Sequence, residues 1–111
     1  MKKSKAQKAL KFDKGKPDLS LIPYEALEEL AKVLMYGEKK YGRWNWKKKL
    51  NYSRLTSAAL RHIHKFNSGI DRDDESGELH LSHAACNLFF LIYFLKNKIK
   101  DIDDRISAKT D

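Results

Sequence analysis

Apolar side chains first recur at helical spacing from Leu27. Leu27, Leu30, Ala31 and Leu34 fall at i, i+3, i+4 and i+7, which is one face of a helix. Ile22-Pro23 marks its start, because a proline in the first helical position gives up no useful hydrogen bond. The spacing predicts a helix as far as Tyr36, with Gly37 as its interruption. The stretch 38–49 departs from any amphipathic pattern and reads as a loop. A second helix is expected to start after Asn51 or Ser53 as N-cap and to reach Asn67. Leu55, Ala59, Ile63 and Phe66 form its stripe, and Gly69 supplies the stop. Residues 71–78 form a second loop. A third helix begins near Leu79 and is apolar around its circumference from Ala84 to Leu95, apart from Asn87. Ile99, Ile102 and Ile106 keep a looser helical spacing, which predicts either a short fourth helix or a partner contact.

No segment alternates with period two, so the expected class is all-α. A helix that is apolar on every side has to be enclosed, and the other helices of one short chain are too few to do it. The pattern therefore predicts a small helical bundle completed by homo-oligomerisation. The run Ala84–Leu95 is twelve residues long, short of the roughly 20 that a bilayer requires, so no membrane span is expected.

Composition narrows the picture further. At 111 residues, 41% apolar and 34% charged, the chain has the makings of one folded domain and excludes collagen-like or wholly disordered classes. A single cysteine, Cys86, excludes an internal disulfide framework and a thiolate zinc knot, and fits a reducing compartment. The net charge of +8 is uneven: residues 1–16 hold seven lysines against Asp13, and the remainder is nearly balanced. We divide the chain into a basic arm (1–10), a folded all-α domain (11–100) and a charged tail (101–111). The arm can hold nucleic acid weakly or be simply solvated. Its first residues lack the apolar core of a signal peptide, and a cytoplasmic location is expected.

Candidate chemistry gathers at two loops and one helix. His80, His83 and Asn87 lie at i, i+3 and i+7 and project to one side of the third helix. Just before them, residues 71–78 (DRDDESGE) carry five acids against Arg72. Carboxylates beside imidazoles can hold a divalent ion that neutralises phosphate charge, with Asp73 and Glu75 as its ligands. Glu28 and Glu29 on the first helix are further metal candidates, unless they form a solvated face. Of His62 and His64, two residues apart on a helix, only one can face a given site. His62 beside the apolar stripe is the better candidate, with Arg61 able to reach a phosphate. The loop 38–49 holds six basic residues, two tryptophans and Tyr41. Tyr41, Trp44 and Trp46 offer flat faces for a base, and Lys40 and Arg43, with Lys14 and Lys16 upstream, offer charge to a polyphosphate. Alternatively the tryptophans anchor the loop on the core. No Walker loop, dinucleotide fingerprint or nucleophile elbow occurs.

The ordered motifs Lys11-Phe-Asp-Lys-Gly-Lys16, Leu21-Ile-Pro-Tyr-Glu-Ala-Leu27, Tyr36-Gly37 with Lys40-Tyr41-Gly42 and Asn45-Trp46, Arg61-His62, Asp73-Asp-Glu-Ser-Gly77 and His80-Leu-Ser-His-Ala-Ala-Cys-Asn87 resemble the phage-type dATP/dGTP diphosphohydrolase family. The resemblance covers residues 11–95. That family is commonly grouped with the all-α, MazG-like nucleoside triphosphate pyrophosphohydrolases. The resemblance thus implies an oligomeric helical enzyme that uses Mg2+ or Mn2+ to cleave a purine deoxynucleoside triphosphate to monophosphate and pyrophosphate. By position it carries over a site of Lys14, Lys16, Lys40, Tyr41, Asn45, Trp46, Arg61, His62, Asp73, Glu75, Ser76, Gly77, His80, His83 and Asn87, with individual roles unassigned. Our own expectation is that Lys14, Lys16, Lys40, Tyr41, Asn45, Trp46, Arg61 and Asn87 bind substrate, that Glu75, His62, His80 and His83 are catalytic, and that Asp73, Glu75, Glu28 and Glu29 hold metal. The glutamate-rich motifs of the broader superfamily are incomplete here: Glu28-Glu29 is followed by Leu30, Ala31 and Lys32, and the third helix offers His80, His83 and Asn87. The alternative reading is a protein that binds and sequesters the nucleotide without cleaving it.

Overall fold

The computed structural model describes residues 8–106. Residues 1–7 of the basic arm and 107–111 of the tail lie outside the described residues. Three helices carry the fold: α1 Tyr24–Tyr41, α2 Tyr52–Asn67 and α3 His80–Lys96. Among the described residues there is no strand, only an isolated antiparallel bridge between Arg72 and Leu79. The all-α expectation is met.

Two helix ends differ from the sequence expectation. α1 runs through Gly37 and stops at Gly42, which adopts φ 94° and donates its N–H to the Glu38 carbonyl at 2.8 Å. That positive φ suits glycine, so Gly42 rather than Gly37 ends the helix. A helical glycine costs only about 1 kcal/mol relative to alanine, which the helix-forming residues Glu38–Lys40 readily offset. The second difference is at the tail. Ile99 to Arg105 form no fourth helix; instead Ile102 is buried at 2% exposure, and its carbonyl accepts the Tyr52 N–H at 2.8 Å.

The tail therefore finishes the start of α2. Asn51 occupies the N-cap but makes no side-chain capping bond. Asp104 takes over: its Oδ1 accepts the Ser53 N–H at 3.0 Å and its Oδ2 accepts the Ser53 hydroxyl. The first-turn N–H groups of a helix lack partners within the helix, so this carboxylate satisfies one of them and complements the helix dipole. Asp104→Ala is expected to cost about 1 kcal/mol in a urea melt, with the slope unchanged.

α3 is the shared element, with α2 and α1 each packed against it. Tyr52 and Leu55 of α2 meet Phe94 of α3 and Ile102, while Leu30 and Val33 of α1 meet Cys86; Phe90 packs against both groups. One chain covers only a narrow stripe of each helix. Leu27 and Leu34, expected on the buried face of α1, are exposed, as is Phe66 at the end of the α2 stripe. On α3 the enclosure is likewise incomplete: Leu81, Leu88, Phe89, Ile92 and Leu95 remain exposed. No helix among the described residues is long and apolar enough to cross a membrane. Burial pushes the Cys86 thiol up to about 12, so it stays protonated and unreactive at neutral pH.

Candidate functional site

The loop between α2 and α3 is folded by its own backbone. The Asp73 N–H donates to the Glu78 carbonyl and the Gly77 N–H to the Asp73 carbonyl, both at 2.8 Å. Gly77 sits at φ 76°, a conformation that side-chain-bearing residues rarely adopt. Inside this turn Asp73 Oδ2 accepts from the Ser76 N–H at 2.9 Å and the Ser76 hydroxyl at 3.0 Å. The carboxylate is thus fixed before any other group reaches it.

Three imidazoles surround Asp73. His62 projects from the middle of α2; His80 and His83 come from the first turn of α3. His62 Nδ1 and His80 Nδ1 are 2.8 Å apart, close enough to share one proton. The His62 and His83 rings stack at 4.5 Å with 10° between planes. His83 Nε2 lies 2.7 Å from Ser76 Oγ and 3.9 Å from Asp73 Oδ2. Ser76 has one hydroxyl proton, and the charged carboxylate is the stronger acceptor. On this assignment Nε2 of His83 donates to Ser76, and Nδ1 carries its lone pair.

A second group joins from α1. The Tyr36 hydroxyl and the Lys40 ammonium both donate to Glu75 Oε2, and the Tyr36 ring meets His83 edge-on at 6.3 Å. Lys40 holds the Glu75 carboxyl below its ordinary value, with Tyr36 adding to the effect; the same bond to Glu75, then one to Tyr41, raises Lys40. Tyr36 and Lys40 are four residues apart and share a helix face. Tyr36 is the residue that sequence reasoning missed, and its i, i+4 relation to Lys40 was the available signal.

Several expected residues lie apart from this cluster. Trp46, on a short 3-10 turn Asn45–Lys47, stacks on Phe90 at 4.8 Å and meets Tyr93 edge-on. Phe90 is two turns beyond His83 on α3, about 10 Å along the axis. Trp46 therefore anchors its loop on the core, the alternative weighed from the sequence. Asn87, between them, donates its amide to the His83 carbonyl at 2.9 Å. Arg61 donates to Ser57 one turn back on α2 and lines a shallow depression with Leu60 and His64. Lys14 and Lys16 lie exposed in a turn closed by the Lys16 N–H on the Asp13 carbonyl. Glu28 is exposed. Glu29 bonds Lys32 at 2.9 Å through one oxygen, while its Oε1 is buried without a hydrogen-bond partner among the described residues.

Burial pushes both His62 and His83 down; like charge on His83 and His80 adds to the effect at His62, and Asp73 opposes it at both. Burial would raise Asp73, but the two Ser76 bonds and the adjoining imidazoles bring it below the usual carboxylate value. Asp73 is thus ionised at neutral pH, while His62 and His83 resist protonation. His62 and His83 each take up a proton near pH 6.5 in the unfolded chain, which the folded site resists, so the stability they contribute above that pH is lost as pH falls through it toward their lower folded values. Asp73 acts in the same direction but only in the lower, carboxylate range. In metal-free buffer His62→Gln is expected to flatten the midpoint-against-pH curve over the histidine range.

These features define a small all-α protein with an acid–base centre where a helical hairpin and its connecting loop meet. The chain belongs to the family described as dATP/dGTP diphosphohydrolase, N-terminal, whose model matches residues 6–105. It is also similar to a protein of Salmonella phage PMBT28 named dATP/dGTP diphosphohydrolase. The two are 46% identical over 99 residues, covering 89% of this chain and 34% of the relative. The chain thus spans about a third of the length of the curated relative it matches. No solved structure matches it.

Proposed function

We propose that the chain hydrolyses a purine deoxynucleoside triphosphate between its α and β phosphates, releasing monophosphate and pyrophosphate. The supporting observation is the convergence of Asp73, His62, His80 and His83 beside Lys40 and Glu75 in a member of this family. Water attacks the α phosphorus. An imidazole of the cluster, from His62, His80 or His83, orients it and takes its proton, the role for which this side-chain type is suited near pH 7. Lys40 at the cluster, with Arg61, Lys14 and Lys16, which lie apart from it, as the expected further contacts, balances charge on the polyphosphate, the main requirement of phosphoryl chemistry. Asn45, Tyr41 and the outer face of Trp46 contact the base.

A divalent ion, Mg2+ or Mn2+, would neutralise phosphate charge and acidify the attacking water. Asp73, fixed by Ser76, is the carboxylate placed to hold it, with Glu75 beside the cluster; Glu28 and Glu29, though Glu29 Oε1 is a buried acceptor, contribute no ligand atom to that cluster. The test is incubation of the full chain with each deoxynucleotide and either ion, with products separated by anion-exchange chromatography. Monophosphate and pyrophosphate in equal amounts are expected from dATP or dGTP. Tight binding with the nucleotide recovered unchanged would instead establish sequestration.

We place the reaction in the cytoplasm and in a homo-oligomer. The exposed α3 residues Leu81, Leu88, Ile92 and Leu95, with half-buried Ala85, fall at alternating spacings of four and three, the seam of a helix–helix interface. Light scattering on a sizing column should report at least a dimer at micromolar concentration, and Leu88→Glu should shift it toward monomer.

A further inference from the structure

His62, His80 and Asp73 offer a set of donors that the expected magnesium site would not need. Three ligand atoms, one from each residue, lie within 4.8 Å of one another. Two nitrogens bound to one ion at about 2.0–2.1 Å stand roughly 3.0–3.4 Å apart, depending on the coordination angle. The Nδ1 atoms of His62 and His80 are already 2.8 Å apart, within a few tenths of an ångström of the spacing of a chelating pair, and chelation would require both rings to turn from facing each other toward a common ion.

The surroundings match a ligand set more closely than a packing contact. His80 is buried on the first turn of α3, with its backbone N–H bound to the Asp71 carbonyl at 2.8 Å. Asp73 is held through Ser76, which in turn bonds His83; such outer partners fix the direction of a metal ligand. His62 and Asp73 are half-buried, which leaves one side of the cluster open to solvent or substrate.

We infer that His62 Nδ1, His80 Nδ1 and Asp73 form a binding site for a first-row transition-metal dication, of the two-imidazole, one-carboxylate kind, which selects such ions over Mg2+. Imidazole nitrogen suits zinc, copper, iron and nickel, whereas magnesium takes oxygen ligands and retains its waters. Three protein ligands leave positions for water or a phosphate oxygen. His83, stacked on His62 and tied to Ser76, is then the imidazole that remains to move a proton. This deepens the proposed hydrolysis by naming its ion, yet the site stands or falls without any nucleotide.

The test titrates Co2+, Zn2+ and Mg2+ separately into the full chain in chelator-treated buffer without nucleotide. Expected are visible d–d bands on adding one equivalent of Co2+, displacement of Co2+ by Zn2+, and binding of Zn2+ at least about 10-fold tighter than Mg2+. His62→Gln and Asp73→Asn should each weaken Co2+ by about 10-fold or more, and His64→Gln, on another face of α2, should not. Nitrogen NMR of the unaltered protein supplies a readout independent of variant folding: Zn2+ should move the Nδ1 resonances of His62 and His80. No Co2+ bands, Mg2+ bound as tightly as Zn2+, or unmoved His62 and His80 resonances would overturn the inference. Hydrolysis with Mg2+ alone alongside those results would leave the proposed reaction standing. Co2+ binding without hydrolysis would reverse that outcome.

Discussion

Asp73→Asn should lower the turnover of dATP or dGTP by at least about 100-fold while leaving the far-ultraviolet circular dichroism unchanged. The amide keeps the shape of the side chain and an oxygen for the Ser76 N–H, so the turn that carries it survives. What it removes is the negative charge beside His62, His80 and His83. A cation or imidazolium formed near the substrate would lose its counter-charge, and kcat should fall more than the nucleotide affinity changes. Wild-type turnover in this variant would remove Asp73 from the machinery. Ser76→Ala makes a graded companion: the charge stays but its direction is released, and a smaller loss, about 10-fold to 100-fold, is expected.

Phe94→Ala should cost about 3–5 kcal/mol, the largest single stability loss expected in the chain. Phe94 is 0% exposed and lies where Tyr52 and Leu55 of α2 meet the returning Ile102. Its removal leaves a cavity bounded by three separate stretches of chain, which cannot all close in. Domains of this size have about 5–15 kcal/mol in total, so the variant is expected to melt well over 10 °C lower. A calorimetric loss below about 1 kcal/mol would mean that this ring does not hold the hairpin together.

Much of the fold was legible because periodicity reports burial directly. The α2 stripe and the apolar α3 gave both helices to within a residue or two, and the acidic run 71–78 stood out as the loop between them. The helix-ending glycine was harder to identify. Gly37 and Gly42 look alike in the sequence, and only the Lys40–Glu75 contact, 35 residues apart, shows why α1 continues far enough to present Lys40. Ile102 was legible as apolar but not as core, because its place depends on a backbone bond to Tyr52. In the site, His80 and His83 followed from helical spacing. His62 joined them only as a choice between two neighbours. Tyr36 shares a helix face with Lys40, but its own partner Glu75 lies on another element, so that spacing did not by itself mark it as a site residue. For Trp46 the sequence offered two roles, and its stacking on Phe90 favours packing.

The stretch from His62 to His83 contains the whole imidazole–carboxylate cluster within one helix–loop–helix unit. Joining its two ends requires closing only a short excursion of chain, and the closure entropy grows slowly with length. Such local wiring belongs to the fast-assembling topologies. The imidazole–carboxylate cluster would therefore be complete as soon as α2 and α3 dock, ahead of the slower, concentration-dependent association that the proposed homo-oligomer would require.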